Sequence, residues 1–221
     1  MRFIPATLLL ASVLGAAEPP APRRIMAVGD SITQGGGATY ATYRVVLAAK
    51  LRAAGFRFEF VGSQVTATPQ GPLRHEGYGG KNAEFLAGIL DAKLAAAPAD
   101  ILMIQAGHNH FAEEKPIPGI VAATRAMVAA ARRRNPQVVV LVAQVTPAGK
   151  LPKYSYIPEL NLALAALAGE LDRPGQRVVA VDLATGFDVA ADTIADRVHP
   201  NDRGAEKIAR RWAEALGPWL R

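Results

Sequence analysis

The chain has 221 residues, 50% hydrophobic and 20% charged, with 20 glycines, 16 prolines and no cysteine. That balance describes one globular domain behind a short leader and excludes a collagen-like repeat, a coiled coil and bulk disorder. The absence of cysteine removes disulfides, thiolate metal sites and a Cys nucleophile, and the formal charge of +6 is scattered rather than interleaved with aromatics, so no nucleic-acid surface is expected.

In chain order, Met1-Arg2, an apolar stretch over 3–14 and the small residues Gly15-Ala16-Ala17 read as a secretory signal cleaved after Ala17. The stretch is broken by Pro5 and falls short of the roughly 20 residues a membrane span needs, so stable membrane insertion is not expected. This predicts a signal peptide at 1–17, a single domain at 18–221, and a secreted or periplasmic location. Beyond it, short apolar runs at 25–28, 56–61, 101–104, 138–145 and 178–181 predict strands. Helical spacing at 43–54, 82–97, 117–134, 154–171 and 202–216 predicts helices between and after them. Strands alternating with helices of this length imply a five-stranded parallel sheet with helices on both faces, an α/β/α sandwich. Residues 62–81 and 146–153 stay unassigned and read as loops, the first a long one of the kind that usually carries function. Both leave the carboxyl end of a strand, where open α/β sheets place ligands.

Four segments carry candidate chemistry. Gly29-Asp30-Ser31 follows the first strand, Gly77-Tyr78-Gly79-Gly80 follows the second, Gly107-His108-Asn109-His110 follows the third, and Asp196-Arg197-Val198-His199 precedes the last helix. A serine hydroxyl is a weak nucleophile until a base takes its proton, and histidine does this near neutral pH. An aspartate three residues from that histidine can hold its other ring nitrogen. Taken singly, no segment is specific, and the first and last also fit a capped turn. Neither a dinucleotide fingerprint nor a phosphate loop is present, and the G-x-S-x-G elbow of α/β-hydrolases is missing.

Together, in this order, the four segments resemble the SGNH hydrolases, the GDSL-type serine esterases. The resemblance implies a flavodoxin-like α/β/α fold with Ser31 as nucleophile, His199 as base and Asp196 as its orienting carboxylate. It also implies an oxyanion hole from the Ser31 and Gly80 N–H groups and the Asn109 side chain. One position departs: the family's third segment ends in Asp, and this chain has His110. The segments around Thr33, Tyr43-Arg44, Val61-Gly62-Ser63 and His75-Glu76-Gly77 are similar to the acetylxylan-esterase branch of the carbohydrate esterases (family three). That likeness implies an acetylated polysaccharide or oligosaccharide as substrate and release of its O-acetyl groups. His75, Tyr78, His108 and His110 are the expected substrate contacts, Arg44 is expected to pair with Glu76, and Asp182 to organise a loop. No metal and no cofactor are expected, although four histidines in loops make a zinc site conceivable. A short-chain lipolytic esterase or lysophospholipase, an acyltransferase, and a glycan-binding pseudoenzyme suggested by His110 are the alternatives. No motif specifies the oligomeric state.

Overall fold

A computed structural model describes residues 21–221; the expected signal peptide at 1–17 lies outside the described residues. From the amino end run β1 (Arg23–Gly29), α1 (Ser31–Gln34), α2 (Tyr43–Ala53), β2 (Phe58–Val61), β3 (Gln64–Thr66), β4 (Leu73–Gly77) and α3 (Ala83–Ala96). There follow β5 (Ile101–Gln105), α4 (Ile117–Arg134), β6 (Val139–Gln144), α5 (Ile157–Leu171), β7 (Val178–Asp182), α6 (Val189–Asp192) and α7 (Asp202–Leu216).

Strands β2, β1, β5, β6 and β7 pair in parallel in that spatial order, so the chain crosses over β1 once and the order in which strands are added reverses there. The continuous apolar runs follow from burial on both faces. Because side chains alternate along a strand, Met26 and Val28 enter a core with Leu102, Ile104, Val140 and Val142 beneath α3, α4 and α5. Ile25 and Ala27 face the other way, with Ile101, Met103 and Leu141, beneath Leu47 and Leu51 of α2 and Ile208 and Trp212 of α7. Helix starts are set by side chains that accept the first free N–H groups: Thr42 for α2, Asn82 for α3 and Asn201 for α7.

The segment 62–81 is not the bare loop that its composition predicts. It folds as the antiparallel pair β3–β4. β4 then takes over the edge of β1 that β2 leaves: Arg23–Met26 pair with Phe58–Val61, whereas Val28 and Gly29 pair with Glu76 and Gly77. The physical reason is that His75 and Glu76 of β4 are buried by hydrogen bonding and not by apolarity. Glu76 accepts from Ser63 N and from the Tyr78 hydroxyl, each at 2.5 Å, and a hydrophobic periodicity cannot register such residues. The helix expected from 154 begins at Ile157, where Pro158 fits the first turn.

Candidate active site

The site forms at the carboxyl ends of β1 and β5. Asp30, fully buried, follows β1 and accepts the Ile32 N–H at 2.9 Å, which starts α1 at Ser31. As the first residue of a helix, Ser31 has an N–H with no carbonyl partner inside that helix. Only glycine fits at position 29, because a Cβ there would strike the Thr33 side chain and the Gln105 carbonyl. The far end of α1 is gripped by Arg44, which donates to Thr33 O at 2.5 Å, Gln34 O at 2.9 Å and Thr66 Oγ1 at 2.8 Å. Burial pulls this guanidinium down to about 10. The expected Arg44–Glu76 ion pair is therefore corrected: Arg44 caps the carbonyl end of α1, and Glu76 is taken by Ser63 and Tyr78.

Across the cleft, Asp196 Oδ1 accepts the N–H groups of Val198 at 2.9 Å and His199 at 3.0 Å, while Oδ2 meets His199 Nδ1 at 2.5 Å. Burial pushes the Asp196 carboxyl up, but the bonds from the His199 ring and these two amides outweigh it and hold the group below its ordinary value. A carboxylate only accepts, so Nδ1 carries the hydrogen. The neutral ring then presents a lone pair at Nε2, which lies 2.8 Å from Ser31 Oγ. The turn carrying Asp196 is fastened by Asp192, whose buried carboxylate takes Lys207 Nζ at 2.6 Å, Arg203 Nε at 3.0 Å and Asp188 N at 2.7 Å.

Gly80 and Asn109 adopt left-handed backbone, with φ of 73° and 63°, as glycine and asparagine tolerate best. Asn109 Nδ2 donates one hydrogen to Lys81 O at 3.0 Å. A cleft of about 260 Å³ is walled by Ser31, Gly80, Asn109 and His199, together with Ile32, Tyr40, His108, Lys150, Tyr154 and Val198. The structure thus brings Ser31, His199, Gly80 and Asn109 to one cavity, with Asp196 outside its wall and bonded to His199 Nδ1.

Of the four expected substrate contacts, only His108 lines this cleft. Its Nε2 donates to Thr146 O at 3.0 Å, and its Nδ1 lies 3.6 Å from Asp30 Oδ2. The other three are not among the residues of its wall. His75 is buried, accepting Gly77 N at Nδ1 (3.0 Å) and meeting Thr66 Oγ1 at Nε2 (3.3 Å). Burial, then the nearby Arg44 charge, lowers it to about 3, so it stays neutral and structural. The Tyr78 hydroxyl is committed to Glu76. His110 sits between the carboxylates of Glu84 at 3.1 Å and Glu114 at 3.5 Å. Asp182 accepts Ala184 N and Thr185 N at 2.9 and 2.8 Å, the loop-organising role expected of it. Among the described residues, no group of three or more His, Asp and Glu side chains is placed to hold a metal ion, and no helix is long and apolar enough to cross a membrane.

Sequence reasoning missed Tyr40, Lys150 and Tyr154 in the cleft wall, and Asn161, whose buried amide bridges both main-chain groups of Val145. Tyr40 lies in a glycine-rich segment and Lys150 in a Pro/Gly segment, neither with periodicity to read. Asn161 could have been flagged as the polar residue on the apolar face of the predicted helix.

The mostly parallel sheet between two helical layers is the fold of the SGNH hydrolases, and a serine hydroxyl, an imidazole and a carboxylate meet at its carboxyl edge. The chain belongs to the GDSL-like lipase/acylhydrolase family, whose sequence pattern matches residues 27–207; that family supports an esterase or acylhydrolase activity. Among solved structures it is similar to a carbohydrate esterase of family 3 from Talaromyces cellulolyticus, at 24% identity and a TM-score of 0.79, covering 90% of this chain and 98% of that one. A family 3 carbohydrate esterase from Clostridium thermocellum gives 26% identity and a TM-score of 0.76 over 90% and 98% of the two chains. A lipase/acylhydrolase from Enterococcus faecalis gives 17% identity and a TM-score of 0.70 over 90% and 97%. No curated protein matches the chain.

Proposed function

We propose that the protein is a secreted serine esterase that removes O-acetyl groups from carbohydrate through an acyl-serine intermediate. The observation that carries this reading is the unbroken relay from Asp196 through His199 to Ser31 Oγ, at 2.5 and 2.8 Å, opening into a cleft of about 260 Å³. His199 Nε2 accepts the hydroxyl proton as Ser31 Oγ bonds to the acetyl carbon. The carbonyl oxygen becomes an oxyanion, met by the Ser31 and Gly80 N–H groups and by the Asn109 amide hydrogen not given to Lys81. Collapse breaks the bond to the sugar oxygen, which leaves with the proton from His199. Water, deprotonated by the same ring, then releases acetate and restores Ser31. Every transfer is between side-chain, main-chain, substrate and water atoms.

Acetyl is favoured over a long acyl chain by the small size of the cleft, whose walls carry Lys150 and His108 beside Tyr40, Tyr154, Ile32 and Val198. A carbohydrate carrier is supported by the names of the similar structures and by the signal-like leader. The lipolytic alternative draws on the family's breadth. The pseudoenzyme alternative loses its motive, because His110 lies outside the cleft wall.

The test is acetate release from a panel of acetylated polysaccharides, beside p-nitrophenyl acetate and octanoate, with Ser31→Ala as control. Acetate release from glycans, abolished in Ser31→Ala, is the expected result. Preference for octanoate, or activity surviving in Ser31→Ala, would overturn the proposal.

A further inference from the structure

Two hydrogen bonds hold the His199 ring by its edges, Nδ1 to Asp196 and Nε2 to Ser31. Two edge contacts define a line, and they leave the ring free to tilt about it. The contact that opposes tilting comes from the loop between α1 and α2. The Tyr40 ring stacks on the imidazole with centroids 4.2 Å apart and planes 23° from parallel. The same side chain donates its hydroxyl to Ser31 O at 3.1 Å. Burial pushes the Tyr40 hydroxyl up, which the bond to Ser31 only partly offsets, so it remains a donor.

The loop is shaped around this ring. A Cβ at Gly36 would strike it, although Gly36 itself does not have the positive φ of its neighbours Gly35 and Gly37. Gly36 N donates to Tyr40 O at 3.3 Å and Thr39 N to Gly36 O at 3.0 Å, folding the glycine turn back on the tyrosine.

We propose that Tyr40 is a positioning residue of the esterase reaction: one side chain fixes the plane of the general base and the turn that bears the nucleophile, and its π face favours the imidazolium formed in the transition state. The proposal rests on the serine-esterase reading above. An aromatic face attracts a cation more strongly than it does a neutral ring, so the contact strengthens as His199 takes the Ser31 proton. The other titratable groups about the imidazole are Asp196 on its own turn and, in the walls of the same cleft, His108, Lys150 and Tyr154. The edge contacts alone supply neither the tilt restraint nor the face.

Steady-state rates on p-nitrophenyl acetate as a function of pH test this, because that ester reports serine chemistry whatever the natural acyl carrier. Tyr40→Leu covers the same face without its quadrupole. It is expected to lower kcat by about 10- to 100-fold, as misplacement of a reacting group does, with KM within about threefold. The acid limb of its kcat profile should move to lower pH. Tyr40→Phe, which keeps the face and loses the hydroxyl, should keep the wild-type limb and lose no more than about fivefold in kcat, the scale of one neutral hydrogen bond. An unchanged kcat in Tyr40→Leu, or a lower kcat with an unmoved limb, would overturn the proposal. If Tyr40→Leu does not fold, Gly36→Ala displaces the ring from the other side; there too kcat should fall with KM preserved, and a wild-type kcat would overturn the proposal. Ser31→Ala is run alongside. Activity in that variant refutes the serine-esterase reading, whereas an inert Ser31→Ala beside an indifferent Tyr40→Leu refutes only the role of Tyr40.

Discussion

Replacing Asn109 separates electrostatics from backbone geometry in the proposed oxyanion hole. Its Nδ2 carries two hydrogens: one goes to Lys81 O at 3.0 Å, tying the turn after β5 to the turn after β4. The other remains for the cleft. Asn109→Ala removes both, and the lost oxyanion donor should raise the barrier by about 2.7–4 kcal/mol, a fall in kcat of about 10²–10³. KM should change little, because the charge exists only in the transition state. Folding stability should fall for two further reasons. The tie to Lys81 contributes about 1 kcal/mol. Holding alanine at a φ of 63° costs roughly 1–2 kcal/mol more. Asn109→Gly removes the backbone cost and leaves the electrostatic loss, so it should recover stability without recovering kcat. The assay is p-nitrophenyl acetate turnover beside urea unfolding for both variants. A kcat within tenfold of wild type in Asn109→Ala, or one restored in Asn109→Gly, would show that Asn109 shapes the turn and does not meet the oxyanion.

Asn161→Leu strands the buried N–H and C=O of Val145, each costing about 1–3 kcal/mol, against roughly 1.5–3 kcal/mol from burying leucine. A net loss of about 2 kcal/mol is expected in urea unfolding, and a change below about 0.5 kcal/mol would refute the bridge. His75 is lowered to about 3 when folded, so below its ordinary value of 6.5 the unfolded chain takes a proton that the folded one refuses. Stability from this group is full above that value and falls by about 1.4 kcal/mol per pH unit on acidification toward the folded value. His75→Asn keeps an acceptor for Gly77 N and should flatten this slope by one proton, read from unfolding free energies between about pH 6 and pH 4; equal slopes would refute it. Asp192→Asn weakens the contacts to Lys207, Arg203 and Asp188 N and should cost about 2 kcal/mol, the scale of hydrogen bonds to a charged group. A variant as stable as wild type would show that the turn before His199 holds without it.

The parallel strands and the five long helices were legible because their signal is apolar repetition. The helix expected at 117–134 is α4 itself, and 202–216 is α7. The nucleophile turn and the Asp196–His199 pair were legible because their chemistry needs particular residue types at short spacing. What stayed hidden is held by polar contacts between distant segments. β4 is buried through Glu76 and His75, whose partners Ser63 and Thr66 precede it in the chain. Arg44 reads as one half of an ion pair, and its actual partners include two main-chain carbonyls that any sequence has. Tyr40 is invisible for a related reason: a single ring in a glycine turn has no period, and its importance comes from the imidazole it covers.

Ser31 and His199 are 168 residues apart, and they meet across 2.8 Å. His199 lies just ahead of α7, so a chain interrupted or clipped before residue 199 carries Ser31 without its partner. Catalytic competence is therefore a report on whole-domain assembly. A population's hydrolytic rate counts the molecules that have closed this longest of their loops, whatever secondary structure the remainder has acquired.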